Sequence, residues 1–169
     1  MNVSDLYHTG IVVKDLTASI RAYEAVFDTT FTPPQLRCLD LRDDVAPFHV
    51  DLVIAYSRKG PHRIELIQAV PGTLWDVREG APTAHHLGMY CADVPAESAR
   101  LSAAGNQLVA TLAVDSLRAT YLAYHRLPDG SLIELVDAGA KDRLEAWFDG
   151  ADYVGPNGRH AQSQGPDPE

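Results

Sequence analysis

Residues 7–27, YHTGIVVKDLTASIRAYEAVF, and residues 85–105, HHLGMYCADVPAESARLSAAG, carry one pattern. Each opens with His-x-Gly, runs through an apolar strand end to an Asp, and continues into an amphipathic helix. His8 matches His86 and Gly10 matches Gly88, an offset of 86 − 8 = 78. A second match follows further along. RIELIQ aligns with LIELVD, so that Glu65 matches Glu134 at an offset of 134 − 65 = 69. Each half therefore begins with a strand carrying His and ends with a strand carrying Glu. A repeated supersecondary unit leaves few architectures open, because the two copies must share a core. The fall in offset gives the first half the longer interior, within 29–60, which holds Pro33, Pro34 and Pro47.

Local signals fill in each half. A strand is predicted over 6–13. Asp15 or Thr17 caps a helix over 16–27, where Leu16, Ile20, Tyr23 and Phe27 recur at spacings of three and four. Strands follow near 35–41, 49–56 and 62–69. In the second half a strand at 84–92 leads to a helix near 95–104 that Gly105 ends. Strands near 107–114, 119–126 and 131–137 complete it, the last two joined by the LPDG turn at 127–130. The order is βαβββ, twice. The expected division is a first module over 1–70, a Pro/Gly-bearing linker over 71–83, and a second module over 84–138. A C-terminal helix over 139–150 and a flexible, polar tail over 151–169 follow.

Composition removes several classes of function. Apolar residues make up 46% and charged residues 22%, a globular balance. No apolar run reaches the ~18 residues of a membrane span, and no basic, apolar leader opens the chain, so neither a span nor a signal peptide is expected. Net charge is −9 with 14 basic residues, which disfavours nucleic acid and anionic membranes as partners. The two cysteines, Cys38 and Cys91, lack metal or redox spacing and read as small hydrophobes in a reducing, cytoplasmic setting.

The matched His and Glu positions carry the chemistry. Leu132, Ile133, Leu135 and Val136 surround Glu134, and a carboxylate buried among them costs several kcal/mol unless paired. Strand side chains alternate faces, so His8 shares a face with Gly10 and Val12, while Tyr7, Thr9 and Ile11 take the other. If the modules are related by a pseudo-twofold, His8, Glu65, His86 and Glu134 all point into one cavity. Two imidazoles and two carboxylates suit one divalent ion: Zn, Ni, Co, Mn or Fe. Each residue alone has a bland reading, as a satisfied core histidine or a solvated strand glutamate. The repetition in register favours the ligand reading. His85 is expected on the opposite face from His86. His125 is kept as a contact around the site or with substrate. No phosphate loop, nucleophile elbow or His-Glu-x-x-His helix is present.

At HTGIVVKDL (8–16), RIELI (63–67), HHLGMYCADV (85–94) and DGSLIELVD (129–137) the chain resembles the vicinal oxygen chelate superfamily. That superfamily holds glyoxalases, methylmalonyl-CoA epimerases, extradiol dioxygenases and bleomycin-resistance proteins. The resemblance covers residues 5–138, most of the chain. It implies an α+β fold of two tandem βαβββ modules whose curved sheets form one open, barrel-like metal cavity, and a homodimer. It implies His8, Glu65, His86 and Glu134 as ligands. A methylmalonyl-CoA epimerase is expected to carry Gln in place of Glu65; the carboxylate moves the set nearer to lactoylglutathione lyase.

The implied chemistry is chelation of a small substrate through two neighbouring oxygens, with an enediolate stabilised as a proton leaves the adjacent carbon. Glu134 is the first choice as base and Glu65 the second. This predicts a metal-dependent isomerase, epimerase or lyase. Two alternatives stay open. An Fe(II) extradiol-type dioxygenase needs two His and one carboxylate, and Glu65 would occupy a position it needs. A metal-free binding or resistance protein has no need of an intact four-ligand set.

Overall fold

The computed structural model describes residues 2–77, 84–112 and 121–154. Parts of three expectations lie outside these residues: the linker at 78–83, the strand ends at 113–114 and 119–120, and the tail beyond 154. The first half consists of β1 (Leu6–Val13), α1 (Leu16–Phe27), β2 (Gln35–Arg42), β3 (Pro47–Tyr56) and β4 (Arg63–Gln68). The second half consists of β5 (Ala84–Cys91), α2 (Val94–Ala103), β6 (Gln107–Leu112), β7 (Leu122–Arg126) and β8 (Leu132–Asp137). A short helix α3 (Lys141–Phe148) follows.

Both long helices start for the same physical reason. The Asp15 carboxylate accepts from the Ala18 amide at 2.8 Å, and that of Asp93 accepts from the Ala96 amide at 2.9 Å. Each satisfies an amide that the first turn leaves without a partner. The expected cap at Asp15 is thus the one used. Helix α2 stops at Gly105, whose φ of 85° is strained for other residues.

The strands form one closed barrel in the order β1-β4-β3-β2-β6-β7-β8-β5. Within each half the first and last strands pair in parallel, β1 with β4 and β5 with β8. The halves join at two seams. At one, β1 runs antiparallel to β5. At the other, Leu41 pairs with Leu112 and Arg42 with Thr111. The barrel expected to be open is therefore closed, through this short second seam.

Strand alternation sorts the side chains. Val50, Leu52, Ile54, Ile67, Leu122 and Val136 turn inward, where α3 adds Leu144, Trp147 and Phe148. The outward faces of β3 and β4 pack against α1 through Leu16, Ala55 and Leu66. Those of β5, β7 and β8 pack against α2 through Met89, Ala123, Leu135 and Leu101. Apolar burial of this kind is worth roughly 1.5–3 kcal/mol per large side chain. Cys91 is buried as expected, but Cys38 is exposed, because β2 points it away from the barrel. No described helix is long and apolar enough to cross a membrane.

Candidate metal centre

The seam between β1 and β5 builds the centre. His8 stands opposite Gly88, and Gly10 stands opposite His86. A methyl carbon added to Gly88 would fall 1.8 Å from the His8 ring, and one added to Gly10 would fall 2.0 Å from the His86 ring. Each glycine clears the space that the other half's imidazole fills. This is the physical content of the repeated His-x-Gly, and the sequence carried the signal without disclosing its reason.

Glu65 comes from β4 and Glu134 from β8, one strand away on either side. The four side chains converge, with one potential ligand atom from each lying within 4.8 Å of every other. Their relative exposures are 0% for His8, 5% for Glu65, 2% for His86 and 7% for Glu134. The two Nε2 atoms are 2.8 Å apart. His8 Nε2 lies 3.4 Å from Glu65 Oε2 and 3.1 Å from Glu134 Oε2. His86 Nε2 lies 3.1 and 3.3 Å from the same two oxygens.

The set fits a divalent ion on two grounds. Bonds of about 2.1 Å place neighbouring ligand atoms about 3.0–3.4 Å apart, which is close to the spacing seen. The second ground is charge. Burial disfavours the cationic form of both imidazoles, but the adjacent carboxylates outweigh it, raising His8 and bringing His86 up to about 9. Burial also opposes ionisation of Glu65, yet the two histidines hold it at about 2, and Glu134 lies well below the usual carboxylate range. Two Nε2 atoms in 2.8 Å contact do not both carry a proton. Two carboxylates thus face at most one imidazolium, and a cation would supply the missing charge.

Tyrosines enclose the set. Tyr124 stands opposite Glu134 in the strand register, and its hydroxyl donates to Glu134 Oε1 at 2.6 Å. Tyr56 stands opposite Glu65 at the equivalent place in the first half. Burial pushes the phenols of Tyr7, Tyr56 and Tyr124 well above their usual range, and the nearby carboxylates add to this, so all three stay protonated. Sequence reasoning singled out Tyr56, as an aromatic residue of the substrate lining, and missed Tyr7 and Tyr124. The signal was present in part, as Tyr56 and Tyr124 fall at nearly the same offset that relates the glutamates.

Two facing expectations are corrected by bulges. The β1–β5 register shifts between Leu6 and His8 and again between Gly10 and Ile11. An extra residue in a strand breaks the strict alternation of faces. Tyr7 therefore turns inward and stacks on Tyr90 at 3.8 Å, rather than taking the face opposite to His8. His85 turns toward His86, with the two Nδ1 atoms 2.9 Å apart, and its Nε2 lies 3.0 Å from the Leu74 carbonyl. His125 belongs elsewhere. It is buried under α2, with Nε2 2.8 Å from Ser98 Oγ and Nδ1 3.2 Å from the Asn106 carbonyl, and it ties that helix to the sheet. Arg63 points inward like Glu65 but pairs with Glu145 of α3 at 3.0 Å.

A pocket of about 540 Å³, open solvent at its mouth included, is lined by the two carboxylates. Glu65, Glu134, Tyr7, Tyr56 and Tyr124 form one end; aliphatic side chains from both halves, with Leu144 of α3, form the walls.

A profile of the family described as "Glyoxalase/Bleomycin resistance protein/Dioxygenase superfamily" matches residues 7–122. The matched stretch contains His8, Glu65 and His86; Glu134 lies beyond it and joins them through the fold. Among solved structures, the chain is similar to methylmalonyl-CoA epimerase from Mycobacterium tuberculosis. The identity is 22%, with 81% of this chain and 91% of that chain covered and a TM-score of 0.54. It is also similar to a triple mutant of 4-hydroxymandelate synthase from Streptomyces coelicolor, at 18% identity and a TM-score of 0.53. That likeness covers 82% of this chain and 39% of the other. At these identities the likeness is one of fold. No curated protein sequence matches the chain significantly.

Proposed function

The chain belongs to the glyoxalase/bleomycin resistance protein/dioxygenase superfamily, and from that premise we propose that it is a divalent-metal-dependent isomerase, epimerase or lyase. Its substrate is a small molecule with two neighbouring oxygens. The observation that carries this reading is the buried set of two histidines and two glutamates, whose glutamates line a pocket. His8, Glu65, His86 and Glu134 would hold the ion. When bound, it would supply Lewis-acid stabilisation of negative charge on the substrate's two oxygens.

The remaining work falls to side chains. The aliphatic walls bind the substrate and keep water from the reacting carbon. Tyr124 restrains Glu134 through Oε1, while Oε2 faces the two histidines. Glu134 takes the proton from the carbon beside the substrate's oxygens and returns it to a neighbouring position. Glu65, which lines the same pocket, is the second choice for this role. The reading includes homodimerisation, tested by light scattering, and a cytoplasmic location, tested by fractionation.

The test is isotope exchange. Metal-loaded enzyme in D₂O should wash deuterium into the carbon beside the oxygens of a turned-over substrate, and no O₂ should be consumed. Uptake of O₂ with a catechol in the Fe(II)-loaded protein, retained in Glu65→Gln, would sink the proposal in favour of a dioxygenase.

A further inference from the structure

We propose that the pocket takes a substrate with an anionic group at the end remote from its two oxygens, and that Arg37 and Tyr121 recognise that group. The inference rests on the proposed function for the near end of the pocket and adds the chemistry of the far end. Arg37 is the cationic residue among the lining residues; the carboxylates there are Glu65 and Glu134. Arg37 pairs with Leu52 on β3, four residues before Tyr56, which pairs with Glu65. Four residues of strand span about 13 Å. Tyr121 precedes Tyr124, the partner of Glu134, by three residues, or about 10 Å. Both halves thus place a polar group roughly 10–13 Å along the strands from the tetrad, with aliphatic walls between.

The far end is built rather than incidental. The Arg37 guanidinium lies over the Tyr153 ring at 4.6 Å, which fixes its position. Arg143 donates to Tyr121 Oη at 2.5 Å and to the Val154 carbonyl at 2.6 Å. With its oxygen occupied as acceptor, the Tyr121 hydroxyl directs its own hydrogen to another partner. The Tyr153 hydroxyl beside them is buried and unpartnered. Among the described residues neither arginine forms an ion pair, in a chain with 23 acidic and 14 basic residues. Surplus acid makes pairing easy. Arg37 has no carboxylate partner among the described residues and is fixed over Tyr153 at the pocket lining, so a ligand carboxylate fits it.

Calorimetry on the Zn²⁺-loaded protein tests this with two acids of equal length, 2-oxooctanoate and 2-oxooctanedioate. The second carboxylate should tighten binding by about tenfold, the value of a charge-assisted hydrogen bond. Arg37→Gln should erase the difference, and Tyr121→Phe should reduce it, while 2-oxooctanoate binds as before. Equal binding of the two acids, or an equal loss for both in Arg37→Gln, would overturn the proposal. Failure of both acids to bind would overturn it too. Titration of the metal-free protein with Zn²⁺ reports separately on the tetrad, and so tells that failure from failure of the metal reading.

A second inference stands on different atoms: His85 is a positioning residue for His86. His85 Nε2 faces a carbonyl, an obligate acceptor, so it carries the hydrogen. Its Nδ1 is then the acceptor for His86 Nδ1–H at 2.9 Å. That leaves the lone pair of His86 on Nε2, the atom aimed at the other three ligands. Trp75, fully buried, stacks on His85 at 5.9 Å and holds the ring. By contrast, His8 Nδ1 is buried with no partner.

His85→Phe should keep the stacking and lose the acceptor, and should weaken Zn²⁺ binding by about 10–100-fold. His85→Asn, which restores an acceptor near the same place, should recover most of that. In ¹⁵N spectra of the Zn²⁺-loaded wild type, His86 should carry its hydrogen on Nδ1. Unchanged Zn²⁺ affinity in His85→Phe, or an Nε2–H tautomer for His86, would overturn the assignment. The spectrum decides even if both variants fail to fold.

Discussion

The two halves of this barrel share a plan and differ in their supports. Each supplies one imidazole, one carboxylate, one clearing glycine and one facing tyrosine. Yet Glu134 receives a hydrogen bond from Tyr124, and His86 is backed by His85. In the first half Tyr7 occupies the bulge equivalent to His85, and His8 Nδ1 has no partner. The second half is the more firmly held. Duplication thus accounts for the four converging side chains, and divergence accounts for which of them are braced. Glu134 has each oxygen assigned, Oε1 to the Tyr124 hydroxyl and Oε2 to the two histidines.

The largest effects should come from what the halves share. His8→Ala and His86→Ala should each lower Zn²⁺ affinity by about two orders of magnitude or more, as measured by competition with a chelating dye. A tenfold gap between them would break the equivalence. Gly10→Ala and Gly88→Ala should be nearly as damaging, because the added methyl overlaps an imidazole rather than a yielding surface group. Loss of Zn²⁺ binding together with a stability loss of roughly 1–3 kcal/mol in denaturant titrations is expected of both. A tolerated glycine variant would show that one ring has room to swing aside.

The glutamates should separate. Glu134→Gln should keep measurable metal and lose deuterium exchange, since an amide oxygen coordinates but does not accept the proton. Glu65→Gln should keep both. The reverse result would move the base to the first half.

Removal of metal should lower Tm by roughly 5–10 °C at an ion concentration 100-fold above Kd. Calorimetry across pH sharpens this. His86 is raised to about 9 from 6.5 in the metal-free fold. The stability from its imidazolium is therefore complete below pH 6.5 and lost as pH rises through 9. The loaded protein has no such proton to lose, so the gap in Tm should widen between pH 6.5 and 9. A gap that narrows over that window would contradict the charge balance described for the tetrad. The smallest effect should come from Tyr124→Phe, which removes one hydrogen bond and should cost about 1 kcal/mol. Tyr56→Phe should cost less, and an equal cost would show that Glu65 is held as firmly as Glu134.

Much of this was legible in the chain. The repeat set the element order, and the matched His and Glu positions named the four converging side chains. The face assignments of Tyr7 and His85 were misread for one reason. A bulge is a property of two strands together, and neither strand's sequence announces it. Tyr7, Tyr124 and Arg37 were missed, and Tyr56 was read only as an aromatic hint in the lining, because an inward-facing side chain reads as ordinary core until its neighbours across the barrel are known.

By itself the sequence determined a duplicated βαβββ unit, the positions that repeat within it, and the donor types that meet. Local patterning suffices for these, because period, capping and repetition are written along one dimension. Only the tertiary structure decided that the barrel closes, that each glycine serves the opposite half's histidine, and that His85 reaches His86. The glycine contacts join residues 76 and 80 positions apart, the closing seam joins residues 71 and 69 positions apart, and His85 meets its chain neighbour through a bulge. Their energies depend on separations of a few ångströms that no single strand contains.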